Sequence, residues 1–106
     1  MSDGWYDVAD VDDLADDDVV QVTAGQAVCA LYRVDGRFYA TADRCTHEKA
    51  SLSEGWLQDG TIECPRHQGI FDIASGKALS APATEAVCTY PVRVEGRRVL
   101  IQAQGN

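Results

Sequence analysis

Two short segments each pair a cysteine with a histidine: Cys45-Thr46-His47 and Cys64-Pro65-Arg66-His67. Sixteen residues separate His47 from Cys64, and the chain has no other histidine. Thiolate is a soft ligand that suits iron–sulfur irons, and imidazole suits iron and zinc. Two such loops set side by side can give one metal two thiolates and a second metal two imidazoles. That is the donor pattern of a [2Fe–2S] cluster in which two histidines replace two cysteines on one iron, a change that raises the potential. A structural zinc site is the competing chemistry. Its usual spacing groups like ligands, C-x₂₋₄-C with H-x₃₋₅-H, whereas each loop here mixes the two kinds. Two unrelated Cys–His pairs are a further alternative. The combined pattern favours iron–sulfur chemistry over both.

The segments that must position these loops read as β. Ala27 to Val34, then Asp35-Gly36, then Arg37 to Thr41 predicts a hairpin with a type I′ turn. Val87 to Val94, then Glu95-Gly96, then Arg97 to Ala103 predicts a second hairpin. Val19 to Thr23 is a third short strand and Trp5 to Val8 an edge strand. Asp10 is an N-cap for a single helical turn through Leu14, with Asp13 three residues on. Nothing else reads as helical. Residues 43 to about 80 carry short apolar pieces between turn signals, including Asp59-Gly60 and Ser75-Gly76. The expected fold is all-β: an antiparallel sandwich or barrel base with an inserted cluster-binding subdomain. Residues 1–106 form one domain, with 1–42 and 81–106 as the base and 43–80 as the cluster-binding part.

A chain of 106 residues, 45% hydrophobic, supports one small core. No apolar run reaches the roughly 18–20 residues of a membrane span, and no basic-then-apolar leader opens the chain. A cytoplasmic location is expected, so the four cysteines point to metal binding rather than disulfides. Net charge is −8, and residues 1–18 hold eight aspartates with no Lys or Arg. The remaining nine acids and nine bases cancel. Such a chain disfavours nucleic acid and anionic membrane as partners. The acidic block reads either as a solvated edge or as a face for a basic protein. Cys29 and Cys88 fall in predicted strands and are expected to pack as small hydrophobes. Trp5, Trp56 and the tyrosines are likewise expected to serve packing.

Cys45-Thr46-His47 followed by Cys64-Pro65-Arg66-His67-Gln68-Gly69-Ile70-Phe71-Asp72 resembles the Rieske ferredoxins of bacterial multicomponent aromatic-ring dioxygenases, such as the naphthalene and biphenyl systems. The likeness runs through Ser75-Gly76-Lys77-Ala78-Leu79, Ala81-Pro82-Ala83 and Thr89-Tyr90-Pro91-Val92. It implies one Rieske-type [2Fe–2S] cluster, with Cys45 and Cys64 on the inner iron and His47 and His67 on the outer iron near the surface. It also implies that the loop holding Pro82 covers the cluster from a third side. Respiratory-chain Rieske proteins have an extra cysteine in each ligand loop, joined by a disulfide. Here those positions are Ala50 and Arg66, so no such bridge can form. They also carry a Ser and a Tyr whose hydroxyls donate to the cluster. Here those positions are Gly69 and Phe71. Such hydrogen bonds stabilise the reduced cluster, so their absence places the potential at the low end of the Rieske range, about −150 mV.

No G-x-G-x-x-G follows a strand and opens a helix, so the chain lacks a nucleotide fingerprint. The resemblance therefore implies a monomeric electron carrier, not an enzyme. It would take electrons from a flavin-containing NAD(P)H reductase and pass them singly to a terminal Rieske oxygenase. Glu48, Lys49 and Arg66 lie in the ligand loops and, with Pro82, are candidate docking residues; charges there should set the encounter rate. A Rieske-like small subunit of an assimilatory nitrite reductase is the alternative, and a redox-inert zinc module a third class.

Overall fold

The computed structural model describes residues 4–44, 50–65, 69–80 and 85–103. In chain order the strands are β1 (Trp5–Asp10), β2 (Asp18–Ala24), β3 (Ala27–Val34), β4 (Arg37–Ala42), β5 (Trp56–Gln58), β6 (Thr61–Glu63), β7 (Ile70–Asp72), β8 (Ala78–Ser80), β9 (Thr89–Tyr90), β10 (Val92–Glu95) and β11 (Arg98–Gln102). They form three antiparallel sheets of order β1-β11-β10, β2-β3-β4-β9 and β5-β6-β7-β8. No helix among the described residues is long and apolar enough to cross a membrane.

The continuous apolar run of β3 explains the layering. Side chains alternate faces along a strand. Cys29 and Leu31 enter one core with Ala9, Leu14, Ala24, Ala40, Val99 and Ile101. Ala30 and Tyr32 enter a second core with Leu52, Ile62, Cys64, Phe71, Ile73 and Val87. All four of these β3 residues are fully buried, so the strand is covered on both faces and needs no polar side. The middle sheet thus packs β1-β11-β10 against one face and the β5–β8 sheet against the other. Inside it, the Tyr32 and Thr41 hydroxyls share a hydrogen bond of 2.8 Å, which satisfies two buried polar groups.

The first hairpin forms as the Asp35-Gly36 pair predicts, with φ of +52° and +78° at the two turn residues. The Asp59-Gly60 turn between β5 and β6 uses the same left-handed pair. Asp10 caps the Val11–Asp13 turn with a reciprocal capping box to Asp13. One further 3₁₀ turn, Leu52–Glu54, was not expected; its cap residue Ser51 makes no side-chain capping bond, so no cap signal marks it.

The second hairpin departs from expectation. Its N-terminal arm is not one strand: β9 pairs with β4, whereas β10 pairs with β11 in a different sheet. The break falls at Pro91, which has no N–H for a ladder. Glu95 pairs with Arg98, so the turn is Gly96-Arg97, with only Gly96 at positive φ (+61°). Val87 is drawn away from the strand because its N–H donates to the Gly76 carbonyl at 2.8 Å. Cys88 consequently lies outside any strand and is exposed, contrary to the expected core packing, while Cys29 is buried as expected. Burial, with the nearby Asp43 charge, pushes the Cys29 thiol up to about 11. Brief iodoacetamide treatment of the native protein at neutral pH should therefore label Cys88 and spare Cys29. Peptide mass spectrometry reads this directly, and equal labelling of both would contradict the packing.

The acidic block is partly paired: among the described residues Asp13, Asp17 and Asp18 are exposed without an ion pair, and four other aspartates meet arginines. Asp7 takes the Arg98 guanidinium at 2.7 Å, and Asp10 and Asp12 share Arg97. Asp16 approaches Arg33 at 3.4 Å. The hydrogen bond from Arg98 holds the Asp7 carboxyl below its ordinary range. These arginines lie on or beside strands that pack along the N-terminal segment, which residue-by-residue charge counting could not reveal.

Candidate metal centre

Both cysteine–histidine loops leave sheet positions whose ends are pinned by backbone contacts. The second loop is the tip of the β6–β7 hairpin. Its last strand pair is Glu63 with Ile70, and the Cys64 N–H donates to the Gly69 carbonyl at 2.8 Å. Cys64 is fully buried among Leu52, Ile62 and Phe71. The first loop follows β4 and is closed at its base by an antiparallel bridge between Arg44 and Ser51.

Asp43 anchors that base. Its backbone N–H donates to Val28 and its carbonyl accepts from the Leu52 N–H at 2.6 Å. Its carboxylate accepts from the Gln21 side chain at 2.7 Å and the Ser53 N–H at 2.8 Å. Asp43 is 3% exposed. Burial opposes its charge, but the hydrogen bonds from Gln21, Ser53 and Ser51 outweigh that and hold the carboxyl below the usual range. The sequence reading missed this residue: a single Asp two positions before a cysteine carries no pattern, and its partners lie in β2 and the Leu52–Glu54 turn.

The two loop bases are brought together by Gly55 and Leu52. A Cβ at Gly55 would lie 2.0 Å from the Glu63 carbonyl oxygen, so only glycine lets this turn reach the strand that leads into Cys64. Leu52 packs with Cys64 in one buried cluster, and Ala50 lies against that cluster.

Of the proposed ligands, Cys64 is described; Cys45, His47 and His67 lie outside the described residues, as do Glu48, Lys49, Arg66 and Pro82. The described residues alone hold no group of three or more His, Cys, Asp or Glu that could bind a metal. The surroundings that are described fit an iron–sulfur group. A buried thiol stands at the base of a pinned loop, with apolar packing behind it. Phe71 is fully buried in the same cluster and offers no hydroxyl. The Gly69→Ser, Phe71→Tyr double variant should raise the reduction potential from its expected low value, about −150 mV. A redox titration of both proteins checks this, and a wild-type potential in the upper half of the Rieske range would contradict it.

The family model described as the Rieske [2Fe-2S] domain matches residues 4–91. The ferredoxin component of the naphthalene 1,2-dioxygenase/salicylate 5-hydroxylase systems of Ralstonia sp is 45% identical, over 98% of this chain and 100% of its own. The ferredoxin of carbazole 1,9a-dioxygenase from Nocardioides aromaticivorans IC177 superposes with a TM-score of 0.91 at 27% identity, covering 94% of this chain and 98% of that one. A ferredoxin-like chain in a solved complex of reduced oxygenase and oxidized ferredoxin of carbazole 1,9a-dioxygenase gives a TM-score of 0.89 at 38% identity, covering 95% and 94%. With its all-β sheets, paired loop bases and buried Cys64, the chain belongs to the Rieske [2Fe–2S] domain family, and its cofactor is one Rieske-type [2Fe–2S] cluster.

Proposed function

We propose that this protein is the electron carrier of an aromatic-ring-hydroxylating oxygenase system, taking electrons from a flavin-containing NAD(P)H reductase and delivering them to a terminal oxygenase. The observation that carries this reading is the 45% identity to a ferredoxin component over 98% of the chain and all of that relative. It favours a carrier over the nitrite reductase small subunit. The zinc reading gives way to the family match.

Cys45 and Cys64 are assigned to the inner iron and His47 and His67 to the outer one. Residues 43–80 form the cluster-bearing part on a base of 1–42 and 81–106. When bound, the cluster stores one electron per docking event. The chain supplies the rest. Leu52, Ile62 and Phe71 keep water from the Cys64 side of the site, and Asp43 and Gly55 fix the spacing of the two loops. Glu48, Lys49, Arg66 and Pro82 are assigned to the docking rim. A monomer in the cytoplasm, meeting its partners through weak and fast encounters, fits this role.

The test is reconstitution with purified components. NAD(P)H and a flavin reductase should bleach the visible absorption of the protein. Once the NAD(P)H is spent, adding the terminal oxygenase, an aromatic substrate and dioxygen should restore the colour, with dioxygen reduced and its oxygen atoms placed in a hydroxylated product. Purification as a fixed subunit of a nitrite reductase, or failure of the reduced protein to pass electrons to any oxygenase, would refute the reading.

A further inference from the structure

We propose that the cleft between β4 and β10 is a strand-addition site for an extended segment of another protein, apolar at alternate positions and carrying a carboxylate at one end. The site belongs to the base of the fold and stands apart from the carrier reading above. Elsewhere on the surface, Trp56 is 60% exposed although sequence alone placed it in packing, but a single exposed aromatic is ordinary. The cleft differs because free backbone groups, apolar side chains and an open charge converge there.

Both walls are strand edges. β10 is the outer strand of its sheet, and the Gln102 N–H donates to the Pro91 carbonyl at 3.0 Å. Hydrogen-bonded and non-bonded pairs alternate along an antiparallel ladder. Counting from that bond, Arg93 and Glu95 turn their backbone groups to β11, whereas Val92 and Val94 turn theirs outward. On the other wall, β9 pairs with β4 only at Ala40 and Thr41, and the Ala42 N–H donates to the Cys88 carbonyl at 2.8 Å. The same alternation points the backbone groups of Ala42, Ala40 and Phe38 to that side. Among the described residues, no strand pairs with Phe38 there. Pro91 opens the cleft, because the chain leaves β4 at that point for the other sheet.

The side chains suit an apolar guest. Val92 and Val94 lie opposite Ile101 and Val99, which are fully buried, so their row faces inward. Val94 is nevertheless 46% exposed. It lines a hollow of about 350 Å³ together with Arg37, Phe38, Tyr39 and Val92. A second hollow of about 530 Å³ shares Phe38, Tyr39 and Val92, so the two make one groove.

Charge selects the occupant. Arg37 is exposed on the wall of the groove and makes no ion pair among the described residues. The one acid of β10, Glu95, is held by Arg93 at 2.8 Å. A second copy of this chain laid along β10 would bring no free carboxylate from that strand, whereas a foreign segment with its own Glu or Asp would. Main-chain hydrogen bonds then supply affinity, alternate apolar side chains fill the groove, and the carboxylate on Arg37 fixes the direction. β4 extends about 17 Å from Arg37 to Ala42 and leads at its far end into the first ligand loop. A segment held at the Arg37 end therefore leaves the ligand loops free, as a tether would.

The experiment is nuclear magnetic resonance of the nitrogen-15 holoprotein with one probe, the end-capped peptide Glu-Val-Thr-Val-Thr-Val. In the free protein, the Val92 and Val94 amides should exchange with solvent at least about tenfold faster than that of Arg93. Millimolar peptide should slow them by a similar factor and shift the Phe38, Val92 and Val94 signals. Arg37→Gln should weaken binding about threefold to fivefold, and a peptide with Lys in place of Glu should bind wild type as weakly. Val94→Pro removes an outward donor but no ladder bond, so it should weaken binding about tenfold and leave the visible spectrum unchanged. Protected Val92 and Val94 amides in dilute free protein would overturn the proposal, as would the absence of peptide shifts at these residues. Equal binding by both variants would also overturn it. Protection that grows with protein concentration and disappears in Val94→Pro would assign the edge to a second copy instead. If Val94→Pro fails to fold, the exchange rates and Arg37→Gln decide alone.

Discussion

Gly55→Ala should lower the thermal midpoint of the holoprotein by about 10–20 °C and speed loss of its visible colour. The backbone angle is not the obstacle, since Gly55 has φ of −85°, which alanine adopts freely. The obstacle is contact. The new Cβ would lie 2.0 Å from the Glu63 carbonyl oxygen and 3.2 Å from that of Leu52. Both are backbone atoms, so no side chain can swing aside. The turn and β6 must part, which separates the bases of the two ligand loops. Overpacking of this kind costs about 2–3 kcal/mol, and each kcal/mol shifts the midpoint of a domain this size by about 4–8 °C. Gly60→Ala is the control. Gly60 has φ of +77° with nothing within 4 Å of its missing Cβ. It should cost only the left-handed backbone penalty, about 1 kcal/mol, and leave the colour stable. Differential scanning calorimetry with absorbance of the same samples distinguishes the two.

Asp43→Ala should be nearly as damaging, at about 1–3 kcal/mol, through a different cause. The variant removes a buried carboxylate and leaves the Gln21 amide and the Ser53 N–H without their acceptor at a partly buried site. Both donors belong to elements that hold the first loop closed, so the loop base should loosen with the fold. Asp43→Asn keeps one acceptor oxygen for Ser53, and the Gln21 amide can turn to accept, so it should recover most of the loss. Thermal melts of the three proteins check the ranking. Near-native stability for the alanine variant would mean that the Asp43 hub does not hold the loop.

What was legible in the sequence follows the range over which each signal acts. Asp35-Gly36, Asp59-Gly60 and the Asp10 cap are local devices, and each acts where the residues announce it. The β3 run read as strand, but its burial on both faces depends on two other sheets arriving from distant parts of the chain. The second hairpin was drawn one residue early and through Pro91. The capture of Val87 by Gly76, which redirects that segment, is a contact between residues in different sheets' territory. The exposure of Cys88 and Trp56 escaped notice for the same reason. Strand-like alternation says which residues share a face, not which face is covered. Around the metal centre, the cysteine–histidine spacing carried the chemistry, because ligand type and order survive in one dimension. Asp43 and Gly55, which set the distance between the loops, did not stand out. An isolated Asp and a Gly inside Ser-Glu-Gly-Trp are common in any turn-rich stretch.

The most direct test of the central claim is pulsed electron paramagnetic resonance of the reduced protein grown with nitrogen-15 histidine. A Rieske cluster held by His47 and His67 predicts a half-spin signal with two strongly coupled nitrogens that change isotope with the label. A colourless, diamagnetic sample, or a paramagnetic cluster without histidine nitrogen coupling, would contradict it.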